Sequence, residues 1–203
     1  MFELNQKIET YSNIDTIFGL PYAEWTVLWW KWWCSTKKEP MEAAQVDKTK
    51  KVIFLTTKRM ERFDNEILKV DNIIPEDMAI LFPVDKWLSV GFPFTPDETL
   101  KDVARKRIDN LPNISINIDS VVLEPIRIQS NVFQLELKRD IPNPETPEKL
   151  RKIVKGKYKA VGEGYWIFLK PNSLRKGSHQ MPAFASCKTG ELSLKVHHNI
   201  DII

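Results

Sequence analysis

The sequence predicts a mainly β protein, a β-sandwich of jelly-roll or Ig-like type with an N-terminal Trp-rich helix and one or two further helices. Three observations carry that prediction. Apolar residues recur with period two through much of the second half. Two short continuous apolar runs of strand length stand in the first half. Five of the seven tryptophans crowd into "PYAEWTVLWWKWWCST", residues 21 to 36.

Wound at about 100° per residue, residues 22 to 34 place Tyr22, Trp25, Leu28, Trp29, Trp32 and Trp33 on one stripe, with Glu24 and Lys31 near the opposite side. An amphipathic helix over about 20–35 follows. Trp30 falls between the two faces and has the best claim to a role beyond packing. The segment lacks the cationic face of a membrane-surface helix and the length of a spanning one. A helix plugging its Trp face into a sheet therefore outweighs a ligand platform or a membrane anchor.

A polar connection then leads to "VIFLTT" at 52–57 and "MAILFPV" at 78–84, two buried strands, the second entered through the turn signal "IPED". The intervening "KRMERFDNEILKVDN" keeps neither period and reads as a helical turn or long loop. "FTPDETLKDVARKRIDNL" starts a helix over about 96–110, with Thr95 as N-cap, Pro96 at the first helical position and Glu98 three residues after the cap. Leu100, Val103, Ala104, Ile108 and Leu111 mark its buried face.

From residue 113 the period becomes two: Ile114, Ile116 and Ile118 alternate with polar residues, and "IRIQS" and "VFQLEL" repeat the pattern, as antiparallel sheet does. The Pro-rich stretch at 141–148 reads as a loop, followed by a short helix capped by Thr146. "GYWIFLK", "MPAFAS" and "ELSLKVHHNIDI" resume strand character, with Gly162, Gly164, Gly177 and Gly190 as turn markers. The whole of 1–203 reads as a single domain, with sandwich strands over about 52–84 and 113–203.

Thirty basic against 27 acidic side chains leave a net charge of +3, too near balance to point to nucleic acid or an anionic membrane. Residues 1–20 lack the basic start and apolar run of a secretory signal, and no stretch is long enough for a membrane span. Cys34 and Cys187 form neither a disulfide framework nor a metal-ligand spacing, so both are expected as free thiols in a cytoplasmic protein.

Taken in order, "PYAEWTVLWWKWW", "KKVIFLTT", "IPEDMAILFPV", the helix near 97–110, "INIDSVVLEPIRIQS" and "AVGEGYWIFLKPNSLRKGSH" resemble one bacterial and archaeal family of uncharacterised proteins. That family opens on Tyr-Gly-Glu-Trp followed by Trp-Trp and Trp, carries an Ile-Phe-Phe-Pro-Val strand, and closes on a Gly-Tyr-Trp strand before Lys-Pro and Gly-x-His. The resemblance spans roughly residues 19–200. It places the opening signature on Tyr22, Glu24, Trp25, Trp29, Trp30 and Trp33, and the closing one on Gly164, Tyr165, Trp166, Gly177 and His179. Most members of that family begin with a signal peptide and carry a cysteine pair flanking the region equivalent to 45–75. This chain departs from both and so looks like an intracellular member. The resemblance implies a β-rich fold and no particular activity.

Residues with catalytic chemistry are sparse. His197 and His198 are strand neighbours and point to opposite faces, so they do not share one metal ion, and no metal site or cofactor is expected. His179 joins a metal or acid–base site only if the fold brings it to a carboxylate such as Glu24, Glu163 or Asp201. Cys34 is a nucleophile only beside a base, and a small buried residue otherwise. There is no Gly-x-Ser-x-Gly elbow, Walker loop or dinucleotide fingerprint, and "GEG" at 162–164 reads as a turn into the Tyr165 strand. Glu24 is a hydrogen-bonded structural carboxylate if buried. The basic run "LRKIVKGKYK" interleaves Tyr158 with lysines, but Glu145 and Glu148 beside it favour a solvated loop over a nucleic-acid contact.

The expected function is non-enzymatic: binding of an unknown small molecule or protein through Trp30, Tyr165 and Trp166. The alternative is a small hydrolase or lyase-like enzyme using Glu24 with a histidine such as His179, or Cys34, in an aromatic pocket.

Overall fold

A computed structural model describes residues 7–36, 44–45, 51–56, 68–111, 113–142, 152–186 and 193–203. It is mainly β, with two helices among the described residues. The chain opens on a hairpin of β1 (Thr16–Ile17) and β2 (Leu20–Pro21), whose two turn residues, Phe18 and Gly19, both have positive φ, at 47° and 86°. Two such residues match the twist of a tight hairpin. The hairpin leads directly into α1 (Tyr22–Ser35), and the carbonyl of Ile17 accepts the indole N–H of Trp25 at 2.8 Å.

Next come β3 (Ala44–Gln45), β4 (Val52–Phe54), β5 (Leu68–Ile74), β6 (Ala79–Gly91) and α2 (Asp97–Ile108). The second half supplies β7 (Asn113–Ile118), β8 (Val121–Leu123), β9 (Ile126–Gln129), β10 (Phe133–Leu137), β11 (Ile141–Pro142) and β12 (Lys152–Ile153). The long strands β13 (Gly156–Leu169), β14 (Gly177–Ser186) and β15 (Ser193–Ile202) close the chain.

The strands form two main sheets. The first runs β10-β13-β6-β4-β3, with β9 also paired to β13, and the second runs β5-β15-β14-β7-β8. Strands of the second half pair antiparallel with one another, as their alternation led one to expect, and the parallel pairs involve first-half strands: β4 lies parallel to β6, and β5 parallel to β15. The stretch read as a helical turn or loop thus ends in strand β5. All three residues of β4 are buried, the condition in which parallel pairs occur.

The central strands of the first sheet are covered on both faces, which explains why β4, β6 and β13 read as continuous apolar runs. Along β13 the side chains of Ala160, Trp166 and Phe168 face α1, while Ile167 and Leu169 face the second sheet. Strand β6 divides likewise, with Ala79 and Leu81 toward α1, and Ile80, Phe82 and Val84 toward Ile116, Ile118, Met181, Ala183, Ile200 and Ile202 of the second sheet. Beyond the edge of that contact, α2 packs Leu100 and Ala104 on Val161 of the first sheet.

The α1 helix is buried almost all round rather than along one stripe. Val27, Trp30 and Cys34, off the predicted stripe, are as buried as Trp25 and Trp29, because Ile128 of β9 and Phe133, Leu135 and Leu137 of β10 join the same cluster. The segment after β10 also closes the helix end. The Lys138 N–H donates to the Cys34 carbonyl at 3.1 Å, and Arg139 Nη1 donates to the carbonyls of Trp33 at 2.7 Å and Thr36 at 3.2 Å. These donors satisfy carbonyls that a helix C-terminus leaves open, and a cation there also complements the helix dipole.

Two local expectations are corrected. Gly162 and Gly164 are not turn residues but lie inside β13, the longest strand. The α2 N-cap is Pro96, one position after Thr95, and no side chain caps it. Thr95 instead packs against Gly91, where an added Cβ would lie 2.6 Å from its hydroxyl. Gly190 and the short helix capped by Thr146 lie outside the described residues.

Candidate functional site

The sequence-nominated aromatics meet on the α1 side of the first sheet, around Trp29. Its ring centroid lies 5.1 Å from Trp30, 5.7 Å from Trp32 and 5.5 Å from Trp166, all edge-on, and its indole N–H donates to the Leu55 carbonyl at 2.8 Å. Lys86 Nζ lies 5.0 Å from the same ring. Trp30 lies directly on the backbone of Gly162: a Cβ there would come within 2.2 Å of Trp30 Nε1. Trp30 is 3% exposed, so its place off the predicted stripe makes it a second packing surface. The indole N–H groups of Trp30, Trp33 and Trp166 and the hydroxyl of Tyr22 find no hydrogen-bond acceptor among the described residues.

Tyr165 is on the other side of the sheet. Adjacent strand residues point to opposite faces, and Tyr165 packs on the inter-sheet cluster while Trp166 packs on the α1 cluster. Trp30 and Tyr165 therefore do not share a pocket. Tyr165 instead lines a surface groove of about 460 Å³ with Leu111, Ile114, Ser115, Val122, Leu123, Glu124 and Pro125. Polar and apolar surface share its walls about equally, with Ser115, Glu124 and the Tyr165 phenol among the polar groups.

Next to Tyr165 on the same face of β13 is Glu163, 3% exposed and fully engaged. Arg127 holds one carboxylate oxygen through Nε at 2.7 Å and Nη2 at 2.6 Å, and Gln129 Nε2 donates to the other at 2.5 Å. Arg127 also reaches Asp109 at 2.7 Å, just past the C-terminus of α2. Burial works against the Arg127 charge, but its bonds to Asp109 and Glu163 outweigh that and raise its proton affinity. A carboxylate so saturated is a structural tie between sheet and helix. Because "GEG" lies inside β13 and not in a turn, Glu163 is presented to Arg127 and Gln129 of β9. The Gly-x-Gly spacing inside a strand pattern was the available signal, since two glycines on one face mark a close approach, here of Trp30 to Gly162.

The histidines are all in the second sheet. His179 Nδ1 is 2.8 Å from Asp119 Oδ2, and its Nε2 is 2.7 Å from the Arg175 carbonyl oxygen, so both ring nitrogens are engaged. Burial disfavours the Asp119 charge, yet the Gln180 N–H and His179 together hold its carboxyl below the ordinary range. Asp119, at φ 53°, was not singled out by sequence because it occupies the β7–β8 turn. His198 is completely buried between the sheets, with Nδ1 3.2 Å from Asn72 Nδ2 and its ring 5.0 Å edge-on to Phe82. Burial pushes its pKa down to about 4, against a smaller opposing contribution from the Thr56 backbone.

The remaining candidates stand apart. Glu24 is half-buried on α1, and the first sheet lies between it and all three histidines. Cys34 is a free thiol, fully buried, and burial pushes its pKa up to about 12 despite the opposing charge of Arg139. A thiol in that state is a poor nucleophile. Cys187 lies outside the described residues. Among the described residues no three of His, Cys, Asp and Glu are grouped to hold a metal ion, and no helix is long and apolar enough to cross a membrane.

No family model matches the chain, and neither does any curated protein or solved structure.

Proposed function

We propose that the chain is a single-domain β-sandwich that binds a small molecule with both apolar and polar parts in the groove beside Tyr165, without transforming it. The groove of about 460 Å³ is the observation that carries this reading. Its volume falls within the range of small-molecule sites, and no acid–base pair or activated nucleophile lines it. Trp30 and Trp166 serve the site indirectly, by fixing the other face of the strand that presents Tyr165. The two sheets share a core drawn from both inner faces, which supports a sandwich. Kinship with the bacterial and archaeal family rests on the order of its sequence motifs, and the packing of Tyr22, Trp25, Trp29 and Trp166 into one cluster is consistent with their Trp richness.

The hydrolase or lyase reading has less behind it, because Glu24 has no histidine on its side of the sheet and the Cys34 thiol is held protonated. Titration with the apolar dye Nile red tests the binding reading. Saturable fluorescence that Tyr165→Ala reduces about tenfold or more in affinity is expected if the ring is a principal contact. Absence of saturable binding, or indifference to Tyr165→Ala, rejects the groove as the site.

A further inference from the structure

The groove beside Tyr165 opens where strand β7 loses its partner. Strand β8 pairs with β7 from Ile118↔Val121 to Ile116↔Leu123 and stops, while β14 on the other side of β7 continues to Ala185↔Ile114 and Ser186↔Asn113. The Asp119 N–H donates to the Gln180 carbonyl of β14 at 2.8 Å, so the Ile118 carbonyl, on the other side of that peptide plane, points toward β8. Bonding direction alternates along a strand, and the N–H and C=O groups of Ile116 and Ile114 therefore point to the β8 side as well. Carried two residues past Ile116↔Leu123, the register sets Ile114 opposite Pro125, which has no N–H to give the Ile114 carbonyl. The chain leaves the ladder there, and Ile126 joins β9 in the first sheet. Neither the N–H nor the carbonyl of Ile114 has a backbone partner on that side among the described residues.

Unpaired strand ends are common, but this one stands inside a slot. Ile114 and Ser115 line one side of the groove, Leu123, Glu124 and Pro125 the other, and Tyr165 reaches it from the first sheet. We propose that the ligand is a short extended peptide, one residue of which exchanges both hydrogen bonds with Ile114, an inference that rests on the groove being the binding site. A residue of extended backbone carries a donor and an acceptor at the spacing of a ladder pair, so it satisfies both groups of Ile114 at once. The walls also match a strand, whose side chains alternate between two faces. On one face the slot offers the Tyr165 ring and the Ile114 side chain, both packed on the inter-sheet cluster, and on the other the exposed Ser115 hydroxyl. Confinement between two walls selects a free segment over a second copy of the chain, because a strand already held in a sheet brings its neighbours with it.

Amide hydrogen exchange, read by NMR on the isotope-labelled full chain, tests this at a single residue. In the free chain the Ile114 amide should exchange about tenfold or more faster than the ladder amides of Ile116 and Ile118. A pool of N-acetylated tripeptide amides of random sequence should slow Ile114 exchange by about tenfold or more at saturation and displace Nile red from the groove. The same pool N-methylated at its central residue keeps the side chains but lacks the donor for the Ile114 carbonyl, and its apparent affinity should fall by about tenfold. If Nile red binds in a Tyr165-dependent way but the tripeptide pool neither displaces it nor protects Ile114, the groove stands as a site and the peptide assignment is overturned. Equal action of the two pools overturns it too, as does an Ile114 amide already protected in the free chain. Protection of Ile114 that grows with protein concentration alone would make the occupant a second copy and the peptide assignment wrong.

Discussion

Gly162 and Trp30 are in direct contact: the indole of the helix residue occupies the space that a Cβ on the strand residue would need, 2.2 Å from Nε1. Gly162→Ala must therefore displace α1 or twist the Trp30 ring, at a cost of about 1–3 kcal/mol typical of overpacking. Chemical denaturation will measure it. Trp30→Leu in the Gly162→Ala background should recover part of the loss relative to the two separate effects, and simple additivity would show that the contact is not what the alanine disturbs.

Trp29 is the hub of the aromatic layer, fully buried and hydrogen-bonded to the Leu55 carbonyl. Trp29→Ala should destabilise the fold by about 3–5 kcal/mol, since it opens a cavity and leaves a carbonyl unpaired. A loss below about 1 kcal/mol would mean that the layer does not hold the sheet.

The His198 imidazole accepts a proton less readily in the fold than in the open chain, its pKa lowered from 6.5 to about 4 by burial. The unfolded chain then binds more protons across that window. Stability is full above about pH 6.5 and falls as pH drops toward 4, by about 3 kcal/mol in total from this group. Asp119, with its carboxyl lowered in the fold, adds a loss at still lower pH as it takes up its proton. Urea unfolding of wild type and His198→Leu across pH 4–7 separates the terms, because the variant should show a flatter slope whatever its absolute stability. Equal slopes would mean that His198 is not protonated on unfolding in this range.

The Arg127–Glu163 tie predicts a fourth stability effect. Glu163→Gln removes a buried charge from an arginine that is only partly exposed and should cost about 1.5–3 kcal/mol. Hydrogen exchange in α2 should rise in the same variant, since Arg127 also holds Asp109 at that helix's end. Unchanged exchange would restrict the tie to the sheet.

Cys34 should be silent to alkylating reagents in the folded protein at pH 8, being buried with its pKa pushed up to about 12. In a Cys187→Ser background, mass spectrometry should find one thiol modified only after unfolding. Rapid labelling under native conditions would require α1 to open.

The sequence by itself determined the elements wherever their period was strong. Alternation in β7, β9 and β10 and the continuous apolar runs of β4, β6 and β13 were legible because strand side chains must answer to the faces on either side of them. The Trp helix was legible as a helix, but not its depth. A helical wheel registers one partner surface, and only the fold brings β10 against the opposite flank to bury Trp30 and Cys34. The second-sheet histidines and Asp119 could not be paired from sequence, because His179 and Asp119 are 60 positions apart and meet only when β7 and β14 align. Most consequential was the pleat of β13. Sequence places Tyr165 beside Trp166 as one aromatic motif, and the alternation of side chains across a sheet sends the first to an open groove and the second into the core.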